Sequence, residues 1–498
     1  MTGNADSATR KRPGWFARLT HMPRHYFAVD GGSGAHLLTA LSQRSPYAER
    51  VASPRHANLL VVVEPISEKL VPAIVEIAQA LPRPAHALLV GGPEAVCDSS
   101  TETKPADLQK VLPGSRHLQQ VSVEGLLDAV LDRSDESELI VSDGSEVDSP
   151  TIQLPSRQQQ EMATELAVLS LGPIQPFTAG PLRLFLICDG EQVLSVQVES
   201  GYASRGIAEA MMQGDWQQAL SLARQFDPLA PIAGQLACIR AIEQLQGWSP
   251  PTLLVKLREA ALALERTQNV LWWLVRFAEI LDVAQLLDRS YSLASALDEC
   301  SARLWQQSPT TWLLPQYSGT TAMLDKNTAT LTRLRQVAES LTALQRDVER
   351  NRWPALRTRS IGMLSTARLQ AANVTGPVLQ ASEQGEGDVE GRLRTRLQLA
   401  SGDLLEVAET LAAEQFLPAH AAYWTIPAGE AHAEVKGPRG TIGLHLESSD
   451  NEKPSRIEWQ SPSAALLPLL PEILAGQKLA DAEVIVASLD LAMAEADG

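Results

Sequence analysis

Four cysteines, nine histidines and one glycine-rich loop are the parts of this 498-residue chain best suited to chemistry. The cysteines are Cys97, Cys188, Cys238 and Cys300, no two closer than 50 residues, and the chain has no CxxC. A metal cluster needs several thiolates converging on it, so this spacing removes local cluster motifs and reads as buried free thiols in a reducing compartment. His21, His25 and His36 lie near one another in sequence, and His432 and His445 flank a Pro-Arg-Gly turn. None has fixed helical or hairpin spacing, so they read as surface or capping residues and not as metal ligands. The loop DGGSGAH, residues 30–36, has the composition of an anion cradle between a strand and a helix. It lacks the lysine and spacing of a P-loop, which leaves a remodelled loop as the better reading. No HExxH, ordered Ser-His-Asp set or paired-carboxylate motif stands out.

The elements that position these residues follow two patterns. Residues 26–29, 58–63 and 85–90 are short apolar runs of strand length, the last closed by Gly91 and Gly92. Between them, residues 67–81 have helical spacing with Leu70, Ile74, Ile77 and Ala78 on one face, and 121–131 is helical again. Strand, helix and strand in this order predict right-handed crossovers and a small doubly wound parallel sheet. A Ser-, Asp-, Gln- and Pro-rich stretch, 142–160, reads as a linker. Residues 182–187 and 192–199 then predict a hairpin around Asp189–Gly190. From about 205 to 415 the pattern is mainly helical. Asp215 is a cap, Ser249 before two prolines starts a helix to about 287, and further helices cover 291–306, 322–350 and 388–413. A β-rich piece, 433–459, precedes helices over 464–475 and 479–494, so the whole reads as a bundle with β pieces at both ends.

Net charge is −17, which argues against a nucleic-acid partner. The start differs: Arg10, Lys11, Arg12, Arg18 and Arg24 are interleaved with Trp15, Phe16, Tyr26 and Phe27. That mix suits a membrane interface or an apolar partner groove, and equally a solvated tail. No apolar run approaches the roughly 20 residues that cross a bilayer. The densest, 270–280, is broken by Arg276 and Glu279. The first residues lack an apolar core followed by a cleavage site, so the chain is expected in the cytoplasm.

The motifs PGWFARL, VDGGSG and VASPRHANLLVVVEPISEKLVPAI, within residues 13–131, resemble the small iron–sulfur subunit of respiratory complex I and of energy-converting NiFe hydrogenases. Residues 170–498 resemble the large, 49 kDa-type subunit of the same enzymes. The matches there are colinear: LGPIQPFTAGPLRL, GYASRGI, FDPLAP, ALERTQNVLWWL, VTGPVLQAS, VKGPRGTIG and LADAEVIVASLDLAMAEAD. The resemblance implies an α/β plus α+β chain, a flavodoxin-like domain of small-subunit type fused to a mainly helical domain of large-subunit type. Its implied parts are a basic-aromatic segment (1–25), a small-subunit-like domain (26–141), a linker (142–168) and a large-subunit-like domain (169–498).

Every redox motif that the resemblance implies is altered. The cluster cysteines fall at Gly34, Leu37 and Pro93, with the fourth at either Ser115 or Gln119. The nickel thiolates of a hydrogenase fall at Asp227, Ala230, Ala492 and Glu495. The quinone-associated histidine and tyrosine of the complex I branch fall at Gln175 and Pro228, and a further histidine at Ser204. Glutamine can hydrogen-bond but cannot relay a proton at neutral pH, and proline offers neither. The expectation is therefore a pseudoenzyme with no catalytic residues, metal or cofactor. It would be a peripheral subunit on the cytoplasmic face of the inner membrane, scaffolding or coupling antiporter-like membrane subunits for transport of ions or inorganic carbon. The alternative is a genuine quinone oxidoreductase or hydrogenase-type subunit with an altered quinone site. Trp272 and Trp273 read as core, and Glu265 with Arg266 reads as a solvated helix face or a buried ionic network.

Overall fold

The computed structural model describes residues 24–44, 47–91, 108–119, 122–132, 138–139, 166–304, 322–323, 328–350, 357–412, 416–417, 426–449 and 452–498. The expectations for residues 1–23, Pro93, Cys97 and 142–165 lie outside these.

Five parallel strands form the first body: β1 (Arg24–Asp30), β2 (Ala48–Arg50), β3 (Leu59–Val63), β4 (His86–Val90) and β5 (Arg116–Leu118). Their order is β2-β1-β3-β4-β5, that of flavodoxin-like doubly wound sheets. β3 reads LLVVV and is buried along its whole length, because helices cover both faces. Val61 and Val63 meet Leu38 and Leu41 of α1 (Ala35–Arg44), while Leu60 and Val62 join Ile74 and Ala78 of α2 (Val71–Ala80). α3 (Val123–Leu131) adds Leu126 and Val130 on the α1 side. Arg24, read as part of the basic-aromatic tail, instead opens β1. It is buried, and its guanidinium donates to the Asp132 carbonyl at 3.3 Å.

The second body begins with an antiparallel sheet of β6 (Leu166–Leu171), β7 (Arg183–Asp189) and β8 (Gln192–Glu199). β6 starts inside the stretch read as linker, and most of it is exposed. Two short helices follow, α4 (Ile207–Gln213) and α5 (Trp216–Leu222), the latter started by an Asp215–Gln218 capping box. Next come α6 (Pro231–Gln246), α7 (Thr252–Ile280), α8 (Ala284–Leu304), α9 (Thr328–Arg350), α10 (Thr366–Ala371), α11 (Pro377–Glu383) and α12 (Val389–Ala412). A short pair, β9 (Ala322–Met323) and β10 (Phe416–Leu417), precedes the antiparallel β11 (Gly429–Lys436), β12 (Thr441–Ser448) and β13 (Pro454–Gln460). The chain closes with α13 (Leu479–Leu489) and α14 (Met493–Asp497).

α7 is the axis of this body. Every residue from Val270 to Ala278 is buried, so it is enclosed all round, as a central helix must be, with Arg276 the one charged residue of the run. Three expected helices are shorter or more broken than their patterns implied. α7 stops at Ile280, and Asp282 takes a left-handed conformation before α8 begins. The expected 479–494 helix ends at Leu489 because Asp490 is also left-handed, with φ 56°; Asp reaches that region through local hydrogen bonding. Residues 462–474 form three short helical pieces, with Pro468 and Pro471 interrupting the ladder.

The two bodies interlock at the carboxyl ends of β1 and β3, the switch point of the sheet. Ser67 donates to the Tyr202 carbonyl and Lys69 to the Ser200 carbonyl, each at 2.6 Å. The Lys69 ammonium stands 4.4 Å from the centre of the Tyr202 ring, which is buried in the sheet's own core. His36 stacks on Trp272 of α7.

Candidate functional site

The loop after β1 is folded by its own aspartate. Asp30 Oδ1 accepts from the Gly32 and Gly34 amides at 2.9 and 2.7 Å. The loop then presses on the second body. A Cβ on Gly32 would sit 3.3 Å from Ala203 and 3.4 Å from Ala494, and one on Gly34 would sit 2.7 Å from the Val63 side chain. Leu37 is half-buried and packs on the α1 face of the sheet. Gln119 follows the carboxyl end of β5 beside Gly91, on the same sheet edge as Gly34. Ser115 lies at the opposite edge, lining a cavity of about 200 Å³ with Arg116 and His86. Among the described residues, those that could surround a cubane are thus Gly34, Leu37 and Gln119, and Val63 fills the room a side chain at 34 would need. Cys188, Cys238 and Cys300 are buried elsewhere. Burial pushes the Cys238 thiol up to about 12. These residues do not fit an iron–sulfur cluster, and no group of His, Cys, Asp and Glu among the described residues has the geometry to hold a metal ion.

The four positions matched to nickel thiolates do come together. The loop 172–180 pairs with the C-terminal segment: Ala179 N donates to the Leu491 carbonyl at 2.9 Å and Met493 N to the Ala179 carbonyl at 2.8 Å. Ala179, Ala492, Leu229 and Ala35 form a small apolar cluster. Asp497 accepts from the Gly201 and Ala203 amides at 2.8 and 2.9 Å, which ties the GYASRG loop, and Ser204 with it, to the chain's end. Ala230 caps α6, three residues after Asp227.

Arg439 stands at the centre of this convergence. It sits on the turn between β11 and β12, closed by Gly437 N donating to the Gly440 carbonyl at 2.8 Å. Its guanidinium donates to Asp227 and to Glu495 Oε1, the latter at 3.1 Å, and lies 3.9 Å from Asp490. All four side chains are at most 3% exposed. Burial weakens the arginine cation, but Asp227, Glu495 and Asp490 more than compensate, and its pKa is raised. Asp490 also faces Arg276 of α7 and Arg396 of α12, each at 3.5 Å. Ser463 donates from Oγ to Glu495 and accepts from the Ala492 amide at 3.1 Å. Burial lifts Glu495 to about 7, against the pull of Arg439. Glu265 of α7 crosses to the start of α6 and accepts from the Ile232 and Ala233 amides at 2.7 and 3.0 Å. That is where a helix presents its free N–H groups, yet burial still raises Glu265 to about 8.

Of the positions matched to quinone chemistry, Gln175 alone lines the cleft beside Asp30. This cleft, of about 30 Å³, is also lined by Thr39, Arg50, Arg276 and Glu279. That is room for about two waters. Neither Ser204 nor Pro228 lines it.

Sequence reasoning placed Asp227 and Glu495 but missed Arg439, Asp490, Arg276 and Arg396. One signal was available: Arg276 interrupts an apolar helix run, and an arginine there must find a buried partner. Glu265 is not on a solvated face, while Arg266 is half-buried and pairs with Asp403 in a two-toothed grip at 2.8 Å. His432 and His445 pair across β11 and β12 and reach Glu434 and Glu447, as surface residues do. Trp272 and Trp273 are core.

A parallel five-stranded sheet set against a helical body makes a mixed α/β architecture. A solved chain described as from the "membrane-bound sulfane sulfur reductase (MBS), an archaeal respiratory membrane complex" superposes with a TM-score of 0.59 at 20% identity, over 68% of this chain and all of that one. The family described as "Respiratory-chain NADH dehydrogenase, 49 Kd subunit" matches residues 401–498. An NADH-quinone oxidoreductase subunit of Koribacter versatilis is 24% identical over 405 residues, covering 70% of this chain and 99% of its own length. Its counterpart in Salinispora tropica is 26% identical over 383 residues, covering 68% and 94%. The chain is a homologue of the complex I 49 kDa subunit. No helix among the described residues is long and apolar enough to cross a membrane.

Proposed function

We propose that this chain is a redox-inert peripheral subunit of a complex I-like membrane complex, in which a small-subunit-like domain (26–141) is fused to a large-subunit-like domain (169–498). The observation that carries this reading is the grip of Asp227 and Glu495 on Arg439. Two positions matched to metal ligands are occupied by carboxylates, and a built-in cation already pairs with both. The filled space around Gly32 and Gly34 supports it from the other side of the interface. An electron would have neither a cluster to leave nor a histidine–tyrosine pair to reach. Fusion fixes the two halves at one-to-one stoichiometry and high effective concentration. The chain would cap and position antiporter-like membrane subunits, docking through the basic-aromatic segment and the loop around 172–179. That would place it on the cytoplasmic face of the inner membrane, in a complex moving ions or inorganic carbon.

The test is to tag the C-terminus, solubilise membranes gently, and identify the co-purifying proteins by mass spectrometry while measuring iron and nickel in the purified chain. Antiporter-like membrane subunits with a metal-free chain are the expected result. Ferredoxin-like or flavin-carrying partners, or stoichiometric iron in this chain, would overturn the proposal.

A further inference from the structure

The centre around Arg439 holds more negative than positive charge. Four buried carboxylates, Asp227, Glu265, Asp490 and Glu495, face three buried guanidiniums, Arg276, Arg396 and Arg439. They come from every element packed there: α7 (Glu265, Arg276), α12 (Arg396, with Arg392 beyond it), the loop before α6 (Asp227), the β11–β12 turn (Arg439) and the C-terminal segment (Asp490, Glu495). From the first body, Asp30 acts on Arg276, as does Arg50 beside it. His36 is held neutral by burial, with Arg276 and Arg439 adding to the effect.

One negative charge in excess at such depth is expensive, and a carboxylate relieves it by taking a proton. The hydrogen bonds show where. Asp227 is occupied by Arg439 and the Leu229 amide, and both Glu265 oxygens accept from backbone amides. Both Asp490 oxygens and Glu495 Oε2 are buried with no hydrogen-bond partner among the described residues. Asp490, however, has three guanidiniums, Arg276, Arg396 and Arg439, within 3.5–3.9 Å, whereas Glu495 pairs with Arg439 alone and shares Oε1 between it and Ser463.

We propose that the Arg439 cluster is a binding site for one exchangeable proton, carried on Glu495 and shared electrostatically with Glu265. The step is a protonation alone. A proton from solvent forms an O–H bond on a carboxylate oxygen, and no electron moves. Arg276 joins the cluster to the Gln175 cleft, because it pairs with Asp490 and also lines that cleft. Arg439 bridges Asp227 and Glu495 and so sets the field at the site. This inference is independent of the redox-inert reading, since the site would bind a proton whether or not electrons reach the chain.

The experiment is an infrared titration of the full chain from about pH 5 to about pH 9, following the C=O stretch of protonated carboxylic acids. It is run with unlabelled protein and with protein carrying ¹³C in its glutamate carboxyl groups. Glu265 and Glu495 are the two described glutamates whose pKa burial raises, to about 8 and about 7. The expected result is a band that moves on glutamate labelling, persists to neutral pH, and is lost with a midpoint between those values. Glu495→Gln should weaken the band and leave the Glu265 component with the higher midpoint, and Glu265→Gln should lower the midpoint. Absence of a label-sensitive band at neutral pH would overturn the proposal from wild-type protein alone, as would a band unchanged in both variants.

Discussion

Replacing Arg439 by methionine tests the centre most directly. The substitution keeps a long apolar side chain and removes the cation that Asp227 and Glu495 grip. Removing one partner of a buried ion pair costs about 3–5 kcal/mol, because the remaining charges stay buried and uncompensated. Unfolding entropy is roughly 2.1 cal/mol/K per residue, so a body of about 300 residues shifts about 1.5 °C per kcal/mol, and Tm should fall about 5–8 °C near pH 7.5. The loss should shrink by more than half near pH 5, where the orphaned carboxylates can protonate. Adding Asp227→Asn and Glu495→Gln to Arg439→Met should recover at least about half of the loss, since that removes the stranded charges along with their partner. Differential scanning calorimetry of the three proteins at both pH values measures this. A variant as stable as wild type at pH 7.5, or one whose deficit is equal at both pH values, would refute the view that Arg439 offsets the charge of the buried carboxylates.

Glu265 and Glu495 take up protons more readily when folded than when unfolded, where they return to about 4.5. Between about pH 4.5 and 8 the folded chain holds protons that the unfolded chain releases. Their contribution to stability is therefore fullest below about 4.5 and declines as pH rises to about 8. Denaturant melts across this range should show Glu265→Gln with a flatter upper limb than wild type, and parallel curves would count against the burial argument. Gly34→Cys should destabilise by about 1–3 kcal/mol, because its Cβ would meet Val63 at 2.7 Å. Val63→Ala should restore part of that loss, and iron–sulfur reconstitution of either variant should give no cluster absorbance. In native protein, Cys188, Cys238 and Cys300 should resist a thiol alkylating agent at neutral pH, with burial holding all three thiols above their ordinary value. Peptide mass spectrometry finding Cys238 modified without denaturant would contradict this.

Local pattern was enough for the sheet. The runs over 58–63 and 85–90, the helical spacing between them and the Asp189–Gly190 turn lie in the structure where the sequence put them, give or take one or two residues. Apolar periodicity and turn chemistry act over a few residues, so they can be read without knowing what packs where. Helix ends were less legible. The breaks at Asp282 and Asp490 are single left-handed residues inside apolar patterns, and Asp490 turns there to reach Arg276 and Arg396, contacts far away in sequence.

For the candidate site, the sequence by itself determined what is missing. Gly34, Leu37, Asp227, Ala230, Ala492 and Glu495 cannot supply thiolates in any fold, because that is a property of residue type. Tertiary structure alone decided what stands there instead. Arg439 lies 212 residues from Asp227 and 56 from Glu495, on a turn whose flanking histidines read as surface or capping residues. Its burial follows from the packing of that turn against Gly376, whose φ of 76° lets the backbones approach where a Cβ would lie 2.5 Å from Gly440. A charge is buried stably only when its partners converge from several elements at once, and convergence is a fact of three dimensions that no local stretch of sequence contains.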